Sequence, residues 1–233
     1  MIEYASQSHY LVAVDCIVFG FDGECLKLLL VKRGLEPEIN KWSLIGGFVG
    51  PEESTDDAAI RVLKKNTGLD GIYLEQFQVY GKPDRDPIER TLSVAYFALV
   101  DINKCKQLYA DYDAAWFPIN EKPELIFDHN TMVADGRKRL RYKAALHPIL
   151  FELLPKKFTL PQLQMLFEAV NDVKIDTGNF NRKMNSTGLL IRLDEKDKSG
   201  SKKGAYYFKL NHKKYQSDFH LVLNLMPNLR LDI

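Results

Sequence analysis

Apolar positions along the chain change their period repeatedly, and each change marks an element. Residues 9–21 (HYLVAVDCIVFGF) and Leu26-Lys27-Leu28-Leu29-Leu30-Val31 are nearly continuous β-rich runs, the composition of strands. Asp22-Gly23 between them predicts a hairpin, since glycine supplies the left-handed backbone a tight turn needs. Gly46-Gly47-Phe48-Val49-Gly50-Pro51 predicts a glycine-rich loop, followed by a helix over 55–66. Ser54 with Asp57 three residues on resembles a capping box, with Asp replacing the usual Glu or Gln. Gly68 suits the position that ends the helix. Strands are expected over 72–80, 91–100 and 116–117, then a helix over 129–142 with Asp128 as its N-cap.

Beyond residue 150 the pattern shifts. Leu163, Leu166, Phe167 and Val170 recur at helical spacing behind Pro161, a residue suited to a first turn. After a break at 171–175, Asp176 caps a second helix over 177–187, stopped by Gly188. Strands over 189–193 and 205–210 flank a polar, Lys-rich loop at 194–204. Helix, helix and a two-stranded wing is the layout of a winged helix-turn-helix. The boundary falls within 148–157, giving domains 1–150 and 151–233. The second carries a C-terminal extension over 211–233 with an apolar stretch at 220–225, whose role the sequence leaves open.

Composition narrows the class. The chain has 233 residues, 45% of them hydrophobic, and 32 Lys+Arg stand against 31 Asp+Glu for a net charge of +1. That is enough apolar material for a packed core and unlike a disordered chain. No apolar run is long enough to span a bilayer, and the start lacks a basic segment followed by an apolar one. A cytoplasmic protein with no membrane partner is expected. Cys16, Cys25 and Cys105 are odd in number and lack metal spacing, so Cys16 and Cys25 are read as buried thiols. The neutral total hides an asymmetry: 14 Lys+Arg against 9 Asp+Glu after residue 150, and 18 against 22 before it. A basic C-terminal part beside an acidic N-terminal one suggests two parts with different partners.

Gly47, Glu53 and Arg61, followed by Val62-Leu63-Lys64-Lys65-Asn66-Thr67-Gly68-Leu69, resemble the Nudix box. The flanks agree: Trp42 to Gly47 before it, Asp84-Arg85-Asp86-Pro87 and Ser93-Val94-Ala95-Tyr96 after it, and Leu125-Ile126-Phe127-Asp128-His129 further on. The resemblance spans about 9–145 and implies an α+β fold: a Nudix-like α/β/α sandwich followed by the winged helix. Active members of that family hold divalent cations on three Glu at the positions of Val62, Lys65 and Asn66, which share one helix face. Hard cations need carboxylate oxygens. Here one position is apolar, one cationic and one a neutral amide, so no catalytic residue, metal site or cofactor is expected. Glu53 and Arg61 are read as a brace between loop and helix. The enzyme alternative is a hydrolase whose metal ligands have moved to Glu52, Asp56 and Asp57, and a third reading is a binding module that never touches DNA.

A Nudix domain without its acids, joined to a basic winged helix, resembles the Nudix-related transcriptional regulators. The resemblance implies a repressor, a homodimer on a palindromic double-stranded DNA operator, and an effector in the old substrate pocket. The arabinose-responsive type is the nearest in appearance. L-arabinose is therefore the preferred effector, and an ADP-ribose-like ligand in a regulator of NAD metabolism is the alternative. On the helix over 177–187, Phe180 and Met184 mark the apolar side, leaving Asn179, Arg182, Lys183, Asn185 and Ser186 outward as candidate DNA-binding residues. Arg and Asn can read base edges, and Lys neutralises phosphate. Lys202 and Lys203 of the wing are assigned to phosphates. Trp42, Arg85, Arg90, Tyr96, Asp128 and His129 occupy motif positions around the Nudix pocket and are the candidate effector-binding residues.

Overall fold

The computed structural model describes residues 4–68, 70–105, 113–199 and 202–217. Its spine is β1 (Leu11–Phe21), buried along its whole length from Val14 to Phe21. A turn at Asp22, whose carboxylate accepts from the backbone N–H groups of Glu24 and Cys25, folds the chain into β2 (Leu26–Lys32). β3 (Trp42–Ser43) adds to β2, and β4 (Ile45–Phe48) pairs with β1, opposing Ala13–Cys16. β5 (Tyr73–Tyr80) lies antiparallel to β6 (Thr91–Asp101), which runs parallel to β1 from Leu11↔Thr91 to Phe21↔Asp101. β7 (Ala114–Pro118) completes the sheet against β2.

Alternation along the strands sends side chains to two cores. On one face Val14, Cys16, Val18, Val94, Tyr96 and Ala98 meet α1 (Thr55–Thr67) through Ala58, Ala59, Val62 and Leu63. On the other, Ile17, Phe19, Ala95, Phe97 and Leu99 pack under α2 (His129–Leu146) through Met132, Val133 and Leu140. A helix on each face of a mixed sheet is the α/β/α sandwich expected from the sequence.

The second core is continuous with that of the winged helix. Leu153, Phe158, Leu163, Phe167, Phe180, Met184 and Phe208 belong to the same buried cluster as the α2 face. α3 (Leu160–Asn171) and α4 (Thr177–Ser186) form the helix-turn-helix. β9 (Leu190–Asp197), β10 (Ala205–Leu210) and β8 (Phe158–Thr159) form a three-stranded sheet with β10 in the middle, and α5 (His212–Ser217) follows. No helix among the described residues is long and apolar enough to cross a membrane.

The caps of α1 and the N-cap of α4 agree with the sequence. Ser54 and Asp57 satisfy each other's backbone N–H groups, and Gly68 ends α1 at φ 67°. Asp176 accepts from the N–H of Asn179 at the start of α4. Thr159 and Gln162 form a second capping box, at the start of α3, beyond those expected.

Four expectations are corrected. The first half of the glycine-rich loop, Gly46 to Phe48, is the strand β4, where Gly46 lies so close to β1 that a Cβ there would fall 2.7 Å from the carbonyl oxygen of Val14. The wing loop is shorter than 194–204, since β9 continues to Asp197. Asp128 makes no capping hydrogen bond with its side chain; its carboxylate is bound by Arg85 instead. Cys16 is buried, but Cys25 is only partly so, at the hairpin with its thiol 3.8 Å from Asp22. Leu69, the side chain of Cys105, residues 200–201 of the Lys-rich loop and the apolar stretch 220–225 lie outside the described residues.

Candidate functional site

Glu53 and Arg61 show how the Nudix segment is built. Arg61 donates from Nε and Nη2 to the two Glu53 carboxylate oxygens and from Nη2 to the carbonyl of Phe48. Glu53 also accepts the N–H of Gly50, so the turn after β4 is tied to α1 from both sides. The Arg61 guanidinium and that N–H together pull the Glu53 carboxyl down to about 2.

The former metal positions face the groove between β4 and α1, but they present no metal ligands. Val62 is buried beneath Gly47, where a Cβ would come within 2.9 Å of its methyl group. The Asn66 amide donates back to the carbonyl of Val62 at 2.7 Å. Lys65 is exposed and lines a cavity of about 350 Å³. A divalent cation does not fit a donor set of methyl, ammonium and engaged amide. Asp56 and Asp57, candidates for relocated ligands, are used elsewhere: Asp57 closes the α1 capping box and Asp56 binds Tyr96.

What the cavity does present is positive charge. Lys32, Arg33, Arg61, Lys65 and Arg85 line it, against the carboxylates of Asp15 and Asp86. Arg33 is held by the carbonyls of Leu35 and Pro37 and lies over the Phe127 ring, 5.1 Å from its centroid. Phe48, half exposed at 48%, and Phe127 supply aromatic wall beside these cations. A cationic groove with aromatic sides suits an anionic ligand that also carries a flat ring.

Beneath the cavity is a buried polar cluster joining three distant segments. Arg85 donates from Nε and Nη2 to the two oxygens of Asp128 at 3.1 and 2.8 Å, and its Nη2 stands 3.5 Å from Asp15. Ser93 donates to Asp15 at 2.6 Å. The N–H of Leu44 donates to Nδ1 of His129, so the ring proton sits on Nε2, 3.6 Å from Asp15. Burial pushes the His129 pKa below its ordinary value, opposed in part by the negative charges of Asp15 and Asp128. Phe127, just before this cluster, holds φ 51°, a conformation unfavourable for a bulky side chain.

Of the six expected effector residues, the structure brings three together here: Arg85, Asp128 and His129. Arg85 and His129 line the cavity, and Asp128 fixes Arg85 from behind. The other three, Trp42, Arg90 and Tyr96, lie outside the lining of this cavity. Trp42 alternates away from the cavity and packs edge-on against Phe117, with ring centroids 4.9 Å apart. Arg90 donates to the carbonyls of Gly81 and Lys82 and stacks on Tyr10, so it anchors the β5–β6 connection. Tyr96 lies on the opposite side of α1, its hydroxyl bound to Asp56, where burial and that carboxylate push it up to about 12. Lys32, Arg33 and Lys65 are lining residues that the expected effector set does not include. Of these, Lys65 alone carries a signal in the sequence, as a cation standing at a metal position.

The second candidate surface is on the winged helix. Phe180 and Met184 are buried, while Asn179, Arg182, Asn185 and Ser186 are exposed and Lys183 is half-buried. Arg182 donates to the Asn179 side chain, so two side chains able to read bases are paired on one face. The Ser186 hydroxyl is spent on the carbonyl of Lys183. Lys202 and Lys203 are exposed in the wing. Next to them, Arg192 and Lys196 both lie against the Tyr206 ring, 4.7 and 4.3 Å from its centroid. Arg192 and Tyr206 thus add a cationic-aromatic patch to the residues expected on this face.

Comparison with known proteins falls on the same two halves. The profile described as "NUDIX domain" matches residues 9–136, and that described as "NrtR DNA-binding winged helix domain" matches 150–210. An "ADPR responsive transcriptional repressor NtrR" of Acinetobacter baylyi is 30% identical over 202 residues, covering 84% of this chain and 81% of the relative. An "ADP-ribose pyrophosphatase" of Methanocaldococcus jannaschii is 33% identical over 133 residues, 57% of this chain and 76% of that protein. Shewanella oneidensis NrtR, solved in complex with a 27mer DNA, superposes with a TM-score of 0.79 at 29% identity, covering 88% of this chain and 95% of that one. The Nudix domain of the same protein, solved with ADP ribose, gives a TM-score of 0.52 at 29% identity, covering 60% and 94%.

Proposed function

The chain belongs to the family of regulators that join a Nudix domain to an NrtR-type winged helix, and on that premise we propose that it is a transcriptional repressor whose Nudix cavity binds an ADP-ribose-like effector. One observation carries the choice of ligand: Lys65 stands where metal-binding members of the fold have a carboxylate, in a cavity also lined by Lys32, Arg33, Arg61 and Arg85. A hydrolase brings metal to neutralise a diphosphate; here Lys65 and Arg33 take that part, since Arg61 and Arg85 are paired with Glu53 and Asp128. The relatives point the same way, because the Acinetobacter repressor is named for its response to ADPR and the Shewanella Nudix domain was solved with ADP ribose. A neutral pentose has no use for such charge, so the ADP-ribose-like effector outranks L-arabinose and sugar-utilisation genes.

The reading includes no catalysis. The Methanocaldococcus relative is named as a pyrophosphatase, but Val62, Lys65 and Asn66 offer no carboxylate at the positions where the Nudix box holds the metal such chemistry uses. DNA binding through Asn179, Arg182, Lys183 and Asn185, with Lys202 and Lys203 on phosphates, is proposed for a homodimer on a palindromic operator in the cytoplasm.

Calorimetry with ADP-ribose, AMP and L-arabinose tests the ligand. ADP-ribose should bind without added metal. Lys65→Glu should weaken it by about tenfold or more, the scale of a charge-assisted hydrogen bond exchanged for repulsion. L-arabinose binding with no response to ADP-ribose would return the pentose reading to first place. Turnover of ADP-ribose with Mg²⁺ at about 1 s⁻¹ or faster would make the protein an enzyme.

A further inference from the structure

The effector cavity and the helix-turn-helix are joined by one helix. α2 begins at the cavity, with His129 on its wall and Asp128 on Arg85. Gly136 lets the helix press onto β1, where a Cβ would already touch Ile17 at 3.4 Å. Further along, Arg137 and Arg141, one turn apart on the same side, leave the Nudix domain and reach Asp172. Arg137 Nη2 donates to both carboxylate oxygens of Asp172, at 2.7 and 2.8 Å. Arg141 Nη2 donates to the same carboxylate at 2.5 Å, and its Nε donates to the carbonyl of Val170 at 2.7 Å.

Asp172 is not an ordinary surface acid. It is the C-cap of α3 at φ 54° and ψ 41°, the left-handed residue that turns the chain toward α4. The rest of that turn is held from α3 by Glu168, which accepts the N–H of Ile175 and the Lys174 ammonium. Asp176, immediately after it, caps α4. A carboxylate gripped at position 172 therefore fixes where the DNA-facing helix begins. The grip is also incompletely satisfied: Nε of Arg137 is buried and has no hydrogen-bond partner among the described residues. Beside it lies a cleft of about 270 Å³, lined by Glu24 of the β1–β2 turn and by Met165, Glu168 and Asp172.

We propose that Asp172, clasped by Arg137 and Arg141, is the positioning residue through which occupancy of the Nudix cavity is passed to the DNA-binding helix. The inference rests on the proposed ligand-responsive repressor and assigns the coupling to a named contact. A ligand that shifts the start of α2 moves the two arginines at its far side, and the clasp hands the motion to the α3–α4 turn. Coupling of this kind requires an element whose position both sites bias; α2 with its clasp is that element.

The test uses the full chain and two sets of variants. Asp172→Asn keeps a residue that tolerates the left-handed backbone while removing the charge, and Arg137→Gln with Arg141→Gln opens the clasp from the other side. Affinity for a duplex selected by the protein from a random pool is measured with and without saturating ADP-ribose, and ADP-ribose affinity is measured alone by calorimetry. A merely structural role would lower DNA affinity and leave the ratio of the two DNA affinities alone. The clasp predicts that this ratio collapses to within about twofold of unity in both sets, while ADP-ribose binding in the absence of DNA is kept. A wild-type protein that responds, with variants that respond equally, overturns the clasp and spares the repressor. A wild-type protein with no response overturns both.

Discussion

Replacing Arg85 with Leu is expected to destabilise the Nudix domain by about 3–5 kcal/mol, the usual cost of removing one partner from a buried ion pair. The Arg85 side chain is 4% exposed, and Asp15 and Asp128 are 10% and 21% exposed. Leucine fills much of the volume but leaves two carboxylates facing each other without their cation. Ser93 and His129 offer Asp15 only neutral donors. Urea unfolding should show a lowered midpoint at unchanged slope. The exposed Arg61–Glu53 brace is the internal comparison: water screens it, so Arg61→Leu should shift the midpoint much less. A loss below about 1 kcal/mol for Arg85→Leu would mean that the cluster does not hold the floor of the cavity in the way its geometry implies.

The second large effect is expected at the DNA face. Arg182→Ala should cost roughly 1–3 kcal/mol on a specific duplex and relax preference at one base position per half-site. Arg182 is exposed on α4 opposite the buried Phe180 and Met184, and Asn179 holds its guanidinium. The hydrogen bond between them presets a fork that can bridge two acceptors of a guanine. Lys202→Ala with Lys203→Ala should weaken all duplexes alike and flatten the salt dependence, since phosphate contacts carry no sequence information. Competition binding against duplexes varied one position at a time distinguishes the two patterns. Uniform weakening by Arg182→Ala would demote it to a phosphate contact.

Local features carry most of what the sequence can tell. Both ends of α1 and the start of α4 are legible because a cap is a contact between near neighbours: Ser54 with Asp57, Gly68 with Lys64, Asp176 with Asn179. The replacement of the three metal-position carboxylates of the Nudix box by Val62, Lys65 and Asn66 is legible because those positions lie close together on one helix. The glycines at 46 and 47 mislead because glycine serves two ends. It loosens loops, and it also allows a strand to come as close as β4 comes to β1 and α1. The charged run 194–197 has the composition of a loop, yet it is the outer strand of the wing, bonded on one side to β10 and open to water. Such a strand needs no apolar alternation. Asp128 has the composition of a cap, but its partner is Arg85, 43 positions earlier in the chain. The cavity floor, with residues from positions 15, 85, 93, 128 and 129, is assembled by such long-range pairing. For the same reason Trp42, Arg90 and Tyr96, though at the right places in a motif, lie outside the cavity lining.

If a ligand in the cationic Nudix cavity governs DNA binding by the winged helix, ligand and DNA must each change the affinity for the other. Fluorescence anisotropy of a duplex selected by the full chain, titrated with and without saturating ADP-ribose, tests it most directly. ADP-ribose should weaken DNA binding by about tenfold, a coupling of ~1.4 kcal/mol, and the duplex should weaken ADP-ribose binding by the same factor. A DNA affinity indifferent to ADP-ribose, in a protein that binds both, would contradict it.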